Sequence, residues 1–288
     1  MFLSDVLKTL CSERAISAVT ISQYQRSIDR LSEFLGRVAT VSDLNYATIN
    51  AYLLWLESDR KLSAVSVRNH RIGIICLWNY AVFPMEVTAP FTTRRIRCPR
   101  IPRKPVVAWS LPDVGKLLQA AIELQGRLRN GLPVALLLES WIRLGTETGL
   151  RPSDLRTMTW EQIDFANRSV AVCQSKTKEP IVCGFSTDTA IALRKLFKWK
   201  FSLVFPIGKS GIWKLEQRLY KIAQLVSGFN RQPRQGLGTL RKTHGTEVYR
   251  EYGLSAASES LGHRSGTRIA KDHYIDSAAH RQYQIRLG

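Results

Sequence analysis

The sequence lacks the marks of a membrane-inserted or exported protein. No apolar run reaches the roughly 18 residues of a membrane-spanning helix. The first residues, MFLSDVLKTLCSERAIS, include Asp5 and Glu13 and no cationic stretch ahead of an apolar one, so a secretory signal is not indicated. A long amphipathic helix rich in lysine and arginine, as in membrane-surface proteins, is missing as well. We therefore expect a cytoplasmic protein with no membrane partner.

Cysteine-based sites and common enzyme motifs are also missing. The five cysteines are odd in number and scattered, and none forms a CxxC or Cys/His cluster, so neither zinc nor a disulfide framework is indicated. Cys173 and Cys183 could face each other across a hairpin, but we expect two buried thiols in a reducing cytoplasm. No Gly-rich phosphate loop, HExxH or GxSxG motif is present. We expect no metal and no cofactor.

Positive charge is what the chain has in excess. It contains 42 lysines and arginines against 23 aspartates and glutamates, a net charge of +19. Residues 1–108 contribute +7 and the remainder +12, so both halves are basic. Nucleic acid is the polyanion that an extended basic surface fits best. The alternative is a basic protein whose charge serves only solubility.

Residues 1–88 are predicted to form four or five short helices. Within 17–35, apolar residues recur every three or four positions, at Ile21, Tyr24, Ile28, Leu31 and Leu35. The pattern returns at 48–57, which contains Leu53, Leu54 and Leu56. It returns again at 63–82, with Ile72, Ile75, Leu77 and Tyr80 and with the basic residues Arg68 and Arg71. Without strand signals, this half is an all-α domain; an ordinary bundle with solvated charges is the alternative.

Residues 89–108 break the helical pattern. Four prolines oppose a helix here and favour an extended, semi-rigid linker. The same segment carries a dense run of positive charge, formed by Arg94, Arg95, Arg97, Arg100, Arg103 and Lys104. Either these charges are simply solvated, or they contact phosphates where a connector between two basic domains crosses DNA.

From Trp109 onward the chain is predicted to be mixed α/β. A helix opens at Ser110 with Asp113 in a capping-box position, and a second, at 132–147, is ended by Gly149. Three short strands are expected at 160–164, 169–174 and 180–185. Further helices are expected at 187–200, 211–226, 240–252 and 254–261.

Three motifs and one lysine in this second half form a recognisable set. They are TGLRPSDL (148–155) at a helix end, LRKT (240–243) at a helix start, and LGH (261–263), which Tyr274 follows eleven residues after the histidine. Lys176 lies between the first two, on the predicted hairpin. In order and approximate spacing, residues 109–280 resemble the catalytic domain of tyrosine recombinases of the phage integrase type. The helical half is similar to that family's core-binding, SAM-like domain.

The resemblance implies roles for individual residues. Arg151 and Arg241 correspond to the two catalytic arginines, Lys176 to the hairpin lysine and His263 to the His/Trp position. Tyr274 corresponds to the nucleophile, and Asp154 to an acidic residue that buttresses the site. The implied fold is mainly α with a small β-sheet, in two domains. These are a core-binding domain at 1–88 and a catalytic domain at 109–288, joined by the basic linker at 89–108.

The chemistry of phosphodiester cleavage explains these residue types. Attack on phosphorus builds negative charge on the non-bridging oxygens, which two guanidiniums can bind through charge-assisted hydrogen bonds without a metal. A tyrosine phenol can hold the strand as a covalent phosphotyrosine that keeps the bond energy. The 5′-hydroxyl is a poor leaving group, so a general acid such as Lys176 should protonate it.

One position departs from the family pattern. The second arginine normally has a histidine or lysine three positions before it, and here that residue is Gly238. Glycine supplies neither a proton nor a side-chain hydrogen bond. Either the enzyme tolerates the loss, or Lys242 or His244 substitutes, or catalysis has decayed. We expect tolerance, with a cost of ~10²–10⁴ in rate for the missing proton-handling group.

The expected activity is site-specific DNA recombination through a 3′-phosphotyrosyl intermediate. By resemblance, the partners are double-stranded DNA and further copies of the chain. A homo-tetramer would act on two DNA sites, with a monomer or dimer when free. We expect the protein to be nucleoid-associated, and the DNA that it serves could belong to a mobile element or to the chromosome. Since the helical half begins near residue 1, we expect no additional arm-binding domain. The rival interpretations are a type IB topoisomerase, acting as a monomer, and a catalytically silent DNA-binding protein.

Overall fold

The computed structural model describes residues 1–88, 92–102, 105–175, 177–233, 235–263, 266–276 and 279. These residues form α-helices and a three-stranded antiparallel sheet, and the chain divides into two compact units, residues 1–103 and 104–288. The predicted mainly α fold with a small sheet is confirmed. Among the described helices, none is long and apolar enough to cross a membrane.

The first unit is a helical bundle. Its helices are α1 Leu3–Glu13, α2 Ala18–Leu35, α3 Tyr46–Ser58 and α4 Ala64–Val82. Polar caps define where α2, α3 and α4 begin, because the side chains of Ser17, Asn45 and Ser63 each accept a hydrogen bond from a backbone N–H of the first turn. The buried apolar stripes follow the predicted periodicity, with Leu31, Leu53 and Leu77 fully buried. Leu54 and Ile72, two of the predicted apolar positions, are exposed because they point away from this core.

Residues 92–102 belong to this first unit, whereas the sequence placed them in a linker. They contain a short 3₁₀ turn, Thr93–Arg95, and Ile96 is buried in the helical core. Arg71 of α4 donates to the carbonyls of Thr93 and Ile96, at 3.3 and 3.4 Å. Asn50 donates to the carbonyl before Ile96 and accepts from the N–H after it, at 2.9 and 2.7 Å. Residues 92–97 of the proline-rich segment are therefore held against α3 and α4.

The second unit surrounds one large apolar core. Its helices are α5 Leu111–Glu123, α6 Val134–Thr148, α7 Pro152–Thr157, α8 Thr187–Phe197, α9 Lys209–Ser227, α10 Leu240–Ser260 and α11 Thr267–His273. Ser110 caps α5 as predicted, accepting from the N–H of Asp113. Helix α6 contributes the fully buried Trp141 to this core. Helix α10 is interrupted at Gly253 (φ 85°), which matches the two helices predicted for this stretch.

The sheet is a meander of β1 Ile163–Asp164, β2 Ser169–Cys173 and β3 Pro180–Gly184. The first strand is shorter than expected because Trp160–Gln162 forms a 3₁₀ turn. The register pairs Val170 with Cys183 and Cys173 with Pro180, so the two thiols do not face each other. The expectation of two buried thiols is wrong: Cys173 lies on the outer face of β2 and is exposed, and Cys183 is half-buried.

A small second cluster of apolar side chains packs at the end of this unit. Its buried members are Ala257, Leu261, Ala270, Ile275 and Ala279, and it is separate from the large core around Trp141. It joins the last turns of α10 to α11 and to the residues that directly follow α11. These include Tyr274, which is partly buried against it.

Candidate active site

Chain reversals and helix ends bring four of the candidate catalytic residues together. Arg151 follows Gly149, which ends α6 in the left-handed conformation (φ 61°), and it directly precedes α7. Arg241 lies in the first turn of α10, His263 just after its end, and Tyr274 directly after α11. Lys176, the fifth candidate, lies outside the described residues, in the connection between β2 and β3.

Arg241 is the buried centre of the site. Its side chain is almost fully enclosed, and it donates to the carbonyl of Gly149 at 2.7 Å and to that of Leu261 at 2.6 Å. Its guanidinium carbon lies 4.8 Å from the centroid of the Tyr274 ring, a cation–π contact. Burial, and next the charge of Arg151, lower the pKa of Arg241 below its usual value. One guanidinium thus ties together the segments that carry Arg151, His263 and Tyr274.

Asp154 bonds the β2–β3 connection and lies beside the first arginine. Its carboxylate accepts from the backbone N–H and hydroxyl of Ser175, at 3.1 and 2.6 Å, and lies 3.9 Å from Arg151 Nη1. Asp154 is buried, and its Oδ2 has no hydrogen-bond partner among the described residues. This geometry suits the buttressing role that the resemblance assigned to it.

Gln174 completes this arrangement and was missed by the sequence reasoning. It is fully buried, and its amide oxygen accepts from Arg151 Nη1 and from the hydroxyl of Thr177. A signal existed in the alternation of β2, where Val170 and Val172 are buried and Gln174 falls on the same side. A polar residue at a buried position needs hydrogen-bond partners, and here they are active-site groups.

His263 is a neutral imidazole in this site. Burial, followed by the charges of Arg241 and Arg151, lowers the pKa of His263 from its usual 6.5 to about 4. Arg241 Nη2 lies 3.4 Å from Nε2, and since a guanidinium only donates, Nε2 accepts and Nδ1 carries the proton. That Nδ1 has no hydrogen-bond partner among the described residues. The ring centroids of His263 and Tyr274 are 5.0 Å apart.

The two substitutes considered for the missing auxiliary group differ in environment. His244 is turned into the protein, with Nδ1 3.1 Å from the carbonyl of Thr146 and its ring against Gly149. Burial lowers the pKa of His244, so it is a neutral packing group at pH 7. Lys242 is half-buried. Gly238 itself is exposed, and a Cβ built there would lie 3.6 Å from Cγ of Pro152, an ordinary contact.

Three of the arginines predicted to bind DNA contact protein groups. Arg71 donates to the two carbonyls described above. The guanidinium of Arg95 lies 4.7 Å from the centroid of the Tyr46 ring, and Arg97 forms an ion pair with Glu57. All three therefore help to hold residues 92–97 against the helices, whatever else they bind.

The other predicted DNA contacts are either exposed or not described. Arg68, Arg94 and Arg100 are exposed, and no ion pair or side-chain hydrogen bond within the described ranges engages them. Arg103 and Lys104 lie outside the described residues. In the part of the chain that the structure describes, no group of three or more His, Cys, Asp or Glu side chains could hold a metal ion.

Curated relatives of this chain include two tyrosine recombinases. The chain is 25% identical over 193 residues to the tyrosine recombinase XerC of Roseiflexus castenholzii, a match that covers 66% of this chain and 59% of that protein. It is 24% identical over 267 residues to the tyrosine recombinase XerC of Actinobacillus pleuropneumoniae serotype 7, covering 87% of this chain and 81% of that protein.

Solved structures share the fold. A lambda integrase tetramer bound to a Holliday junction matches with a TM-score of 0.72 at 18% identity, over 94% of this chain and 76% of that one. The Tn1549 transposon integrase in complex with transposon right end DNA matches with a TM-score of 0.74 at 14% identity, over 100% of this chain and 99% of that one.

Family models match both units. The N-terminal SAM-like domain of phage integrases matches residues 4–82. The phage integrase family itself matches residues 113–281, more than half of the chain and the whole stretch that carries the candidate catalytic residues. The resemblance seen in the motifs is thereby confirmed, and the chain belongs to the phage integrase family.

Proposed function

We propose that this chain is a site-specific DNA recombinase that cleaves and rejoins DNA strands through a 3′-phosphotyrosyl intermediate. One observation carries the proposal above all others. The buried guanidinium of Arg241 lies over the ring of Tyr274 and beside His263, and the charge of Arg151 is close enough to depress its pKa. Two guanidiniums near a nucleophilic phenol, in a basic chain, are suited to binding and attacking a phosphodiester.

In the proposed reaction, the phenolic oxygen of Tyr274 attacks the scissile phosphorus. The phenol gives up its proton to water, the bond from phosphorus to the tyrosine oxygen forms, and the bond to the 5′ oxygen breaks. Arg151 and Arg241 bind the non-bridging oxygens as charge develops on them. His263 Nδ1–H, which has no partner among the described residues, is assigned to a phosphate oxygen, and Lys176 is our choice for the acid that protonates the leaving 5′ oxygen to a hydroxyl. Attack by another strand's 5′-hydroxyl reverses these steps and releases the tyrosine, so no ATP is needed.

The partners we propose are double-stranded DNA and three further copies of the chain. A lambda integrase of the same fold has been solved as a tetramer on a Holliday junction, and exchange between two duplexes requires four cleavages. We propose the same assembly here, on two DNA sites, with monomers or dimers in the absence of DNA. The setting we propose is mobile-element or chromosomal DNA in the cytoplasm.

The test is capture of the covalent adduct on a nicked suicide duplex. Tyr274→Phe should bind DNA as the wild type does, since one hydroxyl is a minor contact among many phosphate contacts, and should form no adduct on a denaturing gel. Tyr252→Phe is the matched control, because Tyr252 is a 66% exposed tyrosine of α10, and it should form adduct normally. An adduct that persists in Tyr274→Phe would move the nucleophile elsewhere.

The same material separates the rival functions. A plasmid with two recombination sites should give recombined products with the wild type. Relaxation of supercoils without recombination would favour a type IB topoisomerase. A wild type that binds DNA but forms no adduct under any condition would favour the silent DNA-binding protein, for which Gly238 is the best sequence argument.

A further inference from the structure

Gln174 connects several parts of the candidate active site through its side-chain hydrogen bonds. It directly follows β2, is fully buried, and uses both ends of its amide. The oxygen accepts from Arg151 Nη1 and from Thr177 Oγ1, the latter at 3.0 Å. The nitrogen donates to the carbonyl of Leu261 at 3.2 Å. A single side chain thus contacts an arginine, the β2–β3 connection and the segment that precedes His263.

The Leu261 carbonyl makes Gln174 a link between the two arginines. The same oxygen accepts from Arg241 Nη2 at 2.6 Å. Next to it, Gly262 (φ 63°) lies so close that a Cβ would be 2.8 Å from the amide nitrogen of Gln174. The peptide that leads to His263 therefore rests directly on this amide, and a displacement of the amide would move both guanidiniums relative to each other.

The chemistry of an amide matters at this point. A carboxylate could also bind Arg151, but it would offset the charge that a phosphate needs and could not donate to Leu261. Arg151 already has one carboxylate, Asp154, at 3.9 Å. A neutral partner holds the guanidinium in place and leaves its charge directed at the substrate.

We propose that Gln174 is a positioning residue that aligns Arg151 and Arg241 with the β2–β3 connection and keeps the charge of Arg151 available to the scissile phosphate. This inference rests on the proposed strand-cleavage function. It also gives Thr177 a role: its hydroxyl ties the β2–β3 connection to the amide oxygen that Arg151 binds.

The main experiment uses Gln174→Glu in the full-length protein, with single-turnover cleavage of a suicide duplex at saturating DNA. We expect DNA affinity to stay within about 3-fold of wild type and cleavage to fall by ~10²-fold, the order found when one donor to a developing oxyanion is lost. Cys173→Ser is the matched control, since Cys173 is the neighbouring residue but exposed, and it should cleave as the wild type does.

A second substrate distinguishes charge from packing. A methylphosphonate at the scissile position lacks one negative charge, so it depends less on the charge of Arg151. The Gln174→Glu defect should shrink to less than about 10-fold on this substrate. A defect of equal size on both substrates would overturn the proposed role, because a general distortion of the fold would affect both alike.

A third comparison decides the matter if Gln174→Glu does not fold. Thr177 is exposed, and Thr177→Val removes its hydroxyl from Gln174 while keeping the shape. We expect cleavage to fall about 10-fold, as for loss of a positioning hydrogen bond, with recovery in Thr177→Ser. Wild-type cleavage in both Thr177→Val and any folded Gln174 variant would refute the inference. A wild type without any adduct would refute the proposed function instead.

Discussion

At the scale of single residues, the buried cation of the site determines the state of its neighbours. Arg241 donates to two backbone carbonyls and lies over an aromatic ring, its Nε has no hydrogen-bond partner among the described residues, and no carboxylate there is in hydrogen-bond contact with it. Its charge is therefore not paired directly with a carboxylate. The charge of Arg241 helps to keep His263 neutral, and the same charge can bind a phosphate that enters the site.

Neutral His263 makes stability depend on pH. The unfolded chain takes up a proton near the usual pKa of 6.5, whereas the folded chain does so only near 4. Between these values the unfolded state binds more protons, so the free energy of unfolding falls as pH is lowered from about 6.5 to about 4. His263→Asn should flatten this fall, measured as Tm at pH 7.5, 6 and 5. Equal slopes for wild type and variant would contradict it.

Gly238→His tests whether the missing auxiliary group limits the rate. The backbone of Gly238 does not have a positive φ, and a Cβ built there makes only an ordinary contact with Pro152. The variant should therefore fold and bind DNA normally. A restored imidazole next to the arginine pair should raise single-turnover cleavage by up to ~10²-fold.

Gly238→Ala is the control for that substitution, because it adds the Cβ without the ring. A histidine variant no faster than the alanine variant would show that another group already fills the role. Lys242 is then the one to replace next, since the ring of His244 is turned to Thr146 and Gly149.

At the scale of elements, Gly149 at the junction of α6 and α7 affects both the packing of His244 and the position of Arg241. Gly149 has a left-handed backbone, and a Cβ there would lie 2.5 Å from Cδ2 of His244. Its carbonyl also accepts from Arg241. Gly36 is a matched control, since it ends α2 with a similar φ of 67° but has nothing within 4 Å of a Cβ.

Alanine at these two glycines should have different costs. Gly36→Ala should lose about 1 kcal/mol of stability, from the left-handed backbone alone. Gly149→Ala should lose about 3 kcal/mol, because overpacking against His244 is added, and its cleavage should fall as the carbonyl moves from Arg241. Thermal unfolding and single-turnover cleavage measure both effects. Similar costs at the two glycines would mean that His244 moves aside freely.

The sequence predicted the long elements and missed the short ones for a physical reason. Helices such as α2 and α6 bury one face over several turns, so their apolar periodicity is visible. Helices α7 and α11, of six and seven residues, are too short to show a period and were not predicted. In the site, the motifs identified the residues that meet around Arg241, but their catalytic roles are still predictions. Gln174 escaped because its partners lie far away in sequence and only the fold brings them together.

At the scale of the whole molecule, positive charge is distributed over both units, with a net charge of +19. DNA affinity should therefore fall steeply with salt, by about 0.9 in log K per log salt for each phosphate neutralised. The structure refines which arginines contribute. Replacing exposed Arg94 and Arg100 with glutamine should reduce the slope by roughly 2, whereas Arg97→Gln should change it little, since Glu57 already pairs with Arg97. An unchanged slope in the double variant would mean that these charges are only solvated.

The small cluster around Leu261 and Ile275 has a consequence for how the protein loses activity. Three of its five buried members are alanines, so it buries little apolar surface, yet it anchors the residues next to Tyr274. Regions of that kind open locally at free energies below that of global unfolding. Native-state hydrogen exchange should show the amides of α11 exchanging before those of α6. Mild heat or dilute urea should then abolish strand cleavage while DNA binding persists, because the fraction of molecules competent to cleave is set by a local folding equilibrium.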